Sequence, residues 1–216
     1  SLHDALPISI VLLAQTLWAF FQEATSQGMQ AIVGRGDLLR KLNFPKYIVV
    51  VSSTVSALIN LVISLFVVLI FMIVNGVEFR PTILLFPLVV VELYIFALGI
   101  AFLLSTMFVR FRDIGHIWDV IMQAWFYATP IIYPLTQLIN VGWLSVAKLV
   151  LMLNPIAQII QDARYLVVTT QTETIWGLVG QQCWLLKLIP LLIIAIVLLV
   201  GVTVFRRRSP YFAEEL

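Results

Sequence analysis

Long apolar stretches separated by short polar connections dominate the chain. A helix crossing a hydrocarbon core about 30 Å thick needs about 20 apolar residues, and five stretches qualify. They run from about Ser9 to Val33, Tyr47 to Val74, Thr82 to Val109, Ile117 to Leu138 and Trp184 to Phe205. The first is diluted by Gln15, Gln22, Glu23, Gln27 and Gln30. The second is the clearest, and at about 42 Å of helix it must tilt or protrude. Between Leu138 and Trp184 the pattern changes. Leu144–Leu153 is apolar but too short to span, which reads as re-entrant or interfacial. It stops at Asn154-Pro155, a good helix cap followed by a good first helical residue. Apolar residues then recur at Ile156, Ile159, Ile160, Ala163 and Val167, with Gln158, Gln161, Asp162 and Tyr165 off that stripe. This spacing predicts a short amphipathic helix at the outer interface, followed by a polar linker over Thr169–Thr174. The expected fold is an all-α polytopic membrane protein with about five transmembrane helices plus outer re-entrant or interfacial helices.

Composition agrees with that pattern. Of 216 residues, 62% are hydrophobic and 11% charged, and mean hydropathy is +1.06. Soluble domains hold about 25% charged residues, so an ordinary soluble enzyme, a disordered chain and a nucleic-acid binder are excluded. The lone Cys183 cannot form an internal disulfide, and no Cys/His spacing suggests zinc. The opening Ser1-Leu2-His3-Asp4-Ala5-Leu6-Pro7 lacks both an initiator Met and the basic region of a signal peptide. It resembles translated sequencing-adapter read-through, so residues 1–8 are expected to be artefact and 9–216 a transmembrane domain truncated at its N-terminus.

Net charge is only +2, yet its placement is asymmetric. Arg35, Arg40, Lys41 and Lys46 follow the first span, Arg110 and Arg112 follow the third, and Arg206, Arg207 and Arg208 follow the last. Arg80, Lys148, Arg164 and Lys187 fall on the other side. The positive-inside rule assigns the first group to the cytoplasm. The first span then begins outside, which predicts a missing upstream span.

Several segments carry candidate chemistry. Asp37 can cap a short helix with Leu38, Leu39 and Leu42 on one side and Arg40 and Lys41 on the other, which Asn43-Phe44-Pro45 then breaks. Such a helix fits a partner's groove, and a basic turn resting on anionic lipid fits equally well. Asp113, His116 and Asp119 invite a metal or acid–base reading. The last lies about 240° round the helix from the first, so three ligands converge poorly. Arg110 and Arg112 read better as a cytoplasmic anchor, with Asp113 favouring the following helix start. Ser53, Ser56, Asn60 and Ser64 form a small polar stripe that suits either helix packing or a substrate path. Glu23 and Glu92 lie in or near apolar spans without an assignable partner. Trp118, Trp125, Phe126, Tyr127 and Tyr133 give the fourth span an aromatic face, fit for sugar rings or for an interfacial belt. Pro130 and Pro134 break its outer half.

The ordered series Asn43-Phe44-Pro45-Lys46, Val109-Arg110-Phe111-Arg112-Asp113-Ile114, and Asn154-Pro155-Ile156 before Gln161-Asp162-Ala163-Arg164 resembles the type-2 ABC transporter permeases. The likeness is closest to their polysaccharide and polyol-phosphate export branch, which handles O-antigen, capsule or teichoic-acid chains. It implies six spans in an intact member, in the inner membrane of a bacterium. It also implies coupling to an ATPase subunit through Asp37, Leu38, Leu39, Arg40, Lys41, Phe44 and Pro45. A substrate path near Ser53, Ser56, Asn60, Trp118, Trp125 and Tyr127 is implied, as is an outer re-entrant region around Asn154, Pro155 and Arg164. No Walker A sequence is present, so ATP and Mg would bind a separate ATP-binding cassette subunit. Two permease copies would enclose one channel for a lipid-linked glycan, and no metal or cofactor is expected on this chain. The alternatives are an exporter of a drug or small lipid and a membrane-embedded glycan transferase.

Overall fold

The computed structural model describes residues 2–37, 45–77, 80–179 and 181–212. Helix α1 covers Leu2–Gly34, α2 Tyr47–Val74, α3 Phe86–Arg110 and α4 Ile114–Ala128. Short helices follow: α5 over Leu135–Asn140, α6 over Leu144–Leu153, α7 over Pro155–Val167 and α8 over Ile175–Leu178. The last long helix, α9, is Ile189–Arg208. Tight 3-10 turns lead into α3 and α9, at Pro81–Leu85 and Gln181–Leu188. No strand occurs among the described residues. The chain is an all-α polytopic membrane protein.

Among the described residues, four segments are long and apolar enough to cross a bilayer: Ile8–Gly34, Tyr47–Val74, Pro81–Arg110 and Leu185–Tyr211. A fifth is reached only by counting α6 and α7 together, and these meet at 101°. The expected fourth span, Ile117–Leu138, is shorter than its apolar run. Helix α4 stops at Ala128 after 15 residues, about 22 Å. Pro130 and Pro134 offer no N–H to continue the ladder.

The turn between α6 and α7 forms as its residues predict. The Asn154 side chain accepts from the Ala157 N–H at 3.3 Å, and Pro155 is the first helical residue. Part of the polar face of α7 is packed rather than open, although Tyr165 is exposed and Asp162 partly so. Gln158, Gln161 and Arg164 are buried along with Ile156, Ile159, Ile160 and Ala163. Polar residues need not face water when partners inside accept their hydrogen bonds, and here Arg164 and Gln161 bond each other.

The contacts divide into two compact units. The first comprises residues 1–18, 62–93 and 125–193 and holds the short helices. Leu135, Ala147, Leu151, Ala157, Ile175 and Val179 form a core there. Arg80 Nη1 donates to Thr170 Oγ1 at 2.8 Å, and Thr82 Oγ1 to the Leu166 carbonyl at 3.1 Å. These bonds tie the start of α3 to the end of α7.

The second unit comprises residues 19–61, 94–124 and 194–216. Ala31, Ile32, Val49, Val50, Phe102, Val109, Phe205 and Phe212 cluster in it. The ends of α1, α3 and α9 and the start of α2 therefore meet. Lys46 Nζ donates to the Ser209 carbonyl and lies 5.8 Å from the Phe212 ring centroid, and partial burial pushes its pKa below the ordinary lysine value. Arg35, Lys46, Arg110 and Arg206–Arg208 thus flank one end of this unit, as their alternation in sequence predicts. We call it the basic end. Backbones touch where α3 crosses α9. A side chain on Gly99 would come within 2.9 Å of the Leu198 backbone, and one on Gly201 would overlap the Gly99 carbonyl.

Candidate functional site

Within the second unit α1 packs on α4 along a definite seam. The Trp118 indole N–H donates to Thr25 Oγ1 at 3.2 Å, and both residues are buried. One turn on, Gly115 lets Met29 and Phe108 approach; a Cβ there would sit 3.3 Å from Phe108 and 3.7 Å from Met29. Beside this seam each helix carries polar residues left uncovered. On α1, Gln22 and Gln30 are exposed and Ser26 half-exposed, at steps of four. On α4, His116, Asp119 and Gln123 are exposed at steps of three and four. Both sets are one helical stripe.

Helix geometry puts the two stripes on the same side. Each residue advances about 100°, so Ser26 and Gln30 lie that far round from Thr25 and Met29. His116 and Asp119 are offset from Gly115 and Trp118 by the same step and in the same sense. Helix α1 runs toward the basic end and α4 starts there, so the pair is antiparallel. Equal offsets of equal sign on antiparallel neighbours point to one flank. The result is a polar face built from glutamines, a serine, a histidine and an aspartate on helices otherwise made for lipid. Unsatisfied polar groups facing hydrocarbon are costly, so this face requires water or another protein surface. The glutamines of α1 looked like mere dilution in the sequence. The eight-residue spacing of Gln22 and Gln30, with Ser26 midway, was the available signal.

The residues expected to line a substrate path are distributed differently. Trp118 is in the α1–α4 seam. Trp125 donates to Asn154 Oδ1 at 3.1 Å, and its ring meets the Trp18 ring edge-on at 6.5 Å. It therefore braces the end of α4 on the α7 cap, while Asn154 Nδ2 donates to Thr129 Oγ1 at 2.9 Å. Ser53 is buried and bonded to the Val49 carbonyl, and Ser56 is exposed and bonded to that of Ser52. Asn60 donates to Glu23 Oε1 at 2.6 Å, where Gln27 also donates at 2.8 Å. That pair of amides supplies the partners Glu23 lacks in sequence. Tyr127 is well exposed.

At the basic end Arg110 lies over Phe111 at 5.3 Å and Arg112 over Phe108 at 5.7 Å, while Asp113 is exposed just before α4. Asp37 and Pro45 are exposed, and Leu38, Leu39, Arg40, Lys41 and Phe44 lie outside the described residues. Pro155 is buried at the start of α7. Arg164, expected near the outer re-entrant region, is 2% exposed. Its Nη1 donates to the Pro130 carbonyl at 2.7 Å, Nη2 to that of Ile131 at 2.5 Å and Nε to that of Ile10 at 3.2 Å. One guanidinium thus joins α1, the break after α4 and α7.

A family model for ABC-2 type transporters matches residues 3–167. The chain is similar to the O-antigen export system permease protein RfbA of Myxococcus xanthus, at 34% identity over 142 residues, 66% of this chain and 54% of that protein. It is similar to O-antigen export system permease protein RfbA from Klebsiella pneumoniae, at 24% identity over 119 residues, 54% of this chain and 45% of that protein. A second Klebsiella pneumoniae protein of the same name matches at 23% over the same shares. The chain spans about half the length of the curated relatives it matches.

Proposed function

The chain belongs to the ABC-2 type transporter family, and from that premise we propose that it is the transmembrane subunit of a polysaccharide exporter in a bacterial inner membrane. The observation that carries this reading is the uncovered polar flank of α1 and α4. A hydroxyl-rich polymer crossing a bilayer needs a wall that offers hydrogen-bond donors and acceptors in place of water, and glutamine amides offer both. Two copies related by a two-fold axis would face these flanks across one path, which closes the polar surface away from lipid. The names carried by the relatives support a polysaccharide as cargo, attached to a lipid carrier as it crosses.

Energy enters from a separate ATP-binding cassette subunit that holds ATP and Mg. It docks at the basic end, on the segment between α1 and α2 that contains Asp37 and Pro45, with Arg110, Arg112 and Asp113 beside it. Deleting the gene tests the reading: surface polysaccharide is lost and the lipid-linked polymer accumulates inside. Restoring the full-length protein recovers display, whereas Gln22→Leu with Gln123→Leu restores it poorly while still reaching the membrane with its ATPase. Unchanged polysaccharide with new sensitivity to a drug would instead support a small-molecule exporter.

A further inference from the structure

The first unit contains a cavity of about 790 Å³ that the translocation reading does not use. Its size falls within the roughly 300–1,000 Å³ of small-molecule sites. Its lining combines two chemistries. Leu85, Leu88 and Leu166 are apolar, joined by the rings of Tyr165 and Trp176. The 170–174 linker and Asp162 add Thr172, Thr174 and the carboxylates of Asp162 and Glu173.

These groups are held in place. Asp162 Oδ2 accepts from Gln158 Nε2 at 2.5 Å, and Gln158 is itself buried. Lys187 Nζ lies 5.6 Å from the Trp176 ring centroid while donating to its carbonyl at 3.1 Å. Arg80 fixes the linker through Thr170.

The lining discriminates among occupants. An acyl chain would dehydrate both carboxylates while offering neither a donor, which is costly. A phosphate would face both carboxylates and be repelled. An uncharged pyranose ring suits both chemistries, because its hydroxyls donate to carboxylates while its C–H faces lie on aromatic and aliphatic side chains. We propose that this cavity binds an uncharged glycosyl residue, with Trp176 as the platform and Asp162 and Glu173 as hydroxyl acceptors. The proposal rests on the polysaccharide reading for the origin of such rings, and its chemistry comes from the cavity alone.

Ligand-observed saturation-transfer NMR on the full-length permease in phosphatidylcholine nanodiscs, without ATPase or nucleotide, tests it. The probes are methyl glucoside, methyl mannoside, methyl N-acetylglucosaminide and, as the anionic comparison, glycerol phosphate. At least one glycoside receives saturation and glycerol phosphate does not. Trp176→Ala lowers the glycoside signal by roughly fivefold or more, the order expected for losing one aromatic contact, and Trp176→Phe retains most of it. Asp162→Asn and Glu173→Gln reduce it further when combined. The proposal is overturned if no glycoside receives saturation, or if the signal survives Trp176→Ala. It is equally overturned if a diazirine-bearing phospholipid labels Tyr165 or Trp176 and added glycoside does not diminish the labelling. Failure here, with polysaccharide display still lost on gene deletion, removes the cavity assignment and leaves the export reading standing.

Discussion

Arg164 brings a full charge to a position only 2% exposed, and the oxygens that receive it are uncharged: three main-chain carbonyls and Gln161 Oε1. Two of those carbonyls, of Pro130 and Ile131, follow the end of α4, where a proline leaves carbonyls short of helical donors. The guanidinium replaces the missing N–H groups with a planar fork that no other side chain reproduces. Arg164→Met therefore strands several buried acceptors at about 1–3 kcal/mol each, and thermal unfolding of the purified protein should show a fall of several degrees. Arg164→Lys should fall between, because one ammonium cannot reach all three carbonyls. Asn154→Ala should cost less, about 1–2 kcal/mol as for other helix caps, though it also removes the acceptor of the Trp125 indole N–H. The Asn154 cap was legible from its own residues, since Asn-Pro is a local signal. The burial of Arg164 was not. Its partners lie 33, 34 and 154 positions away in sequence, and periodicity along α7 carries no trace of them.

At the level of elements, apolar runs located the long helices within a few residues because lipid imposes one requirement along the whole length of each. They overstated α4, where Pro130 ends the helix although apolar residues continue beyond it. On α7 the amphipathic spacing is real, yet part of its polar face, Gln158, Gln161 and Arg164, is buried. Crossings between helices left a fainter trace. Gly99 and Gly201 read as ordinary small residues, yet α3 and α9 meet there backbone to backbone, the kind of approach small residues permit in membranes. Gly201→Leu should force the pair apart and cost about 1–3 kcal/mol or more, seen as a lower yield of folded protein and earlier unfolding. Gly34→Ala, where a Cβ meets nothing within 4 Å, should be silent in the same assay.

For the whole molecule the decisive feature is which polar surface the chain leaves uncovered. Cysteines placed singly at Gln22, Gln30, Asp119 and Gln123 should react with a membrane-impermeant thiol reagent in assembled transporter. Cysteines at Ile59 and Phe66, exposed on the apolar face of α2, should react only with a lipid-soluble one. Equal protection of both sets would remove α1 and α4 from the path. The close crossing of α3 and α9 has a mechanical side as well. A carbonyl seated where a side chain would otherwise stand allows neither helix to slide past its neighbour by even one residue. Both helices end among the cations where the ATPase is proposed to push. If the ATPase does push there, α3 and α9 are expected to move as a pair, like two legs of one strut, because the contact at Gly99 and Gly201 leaves no room for slippage between them.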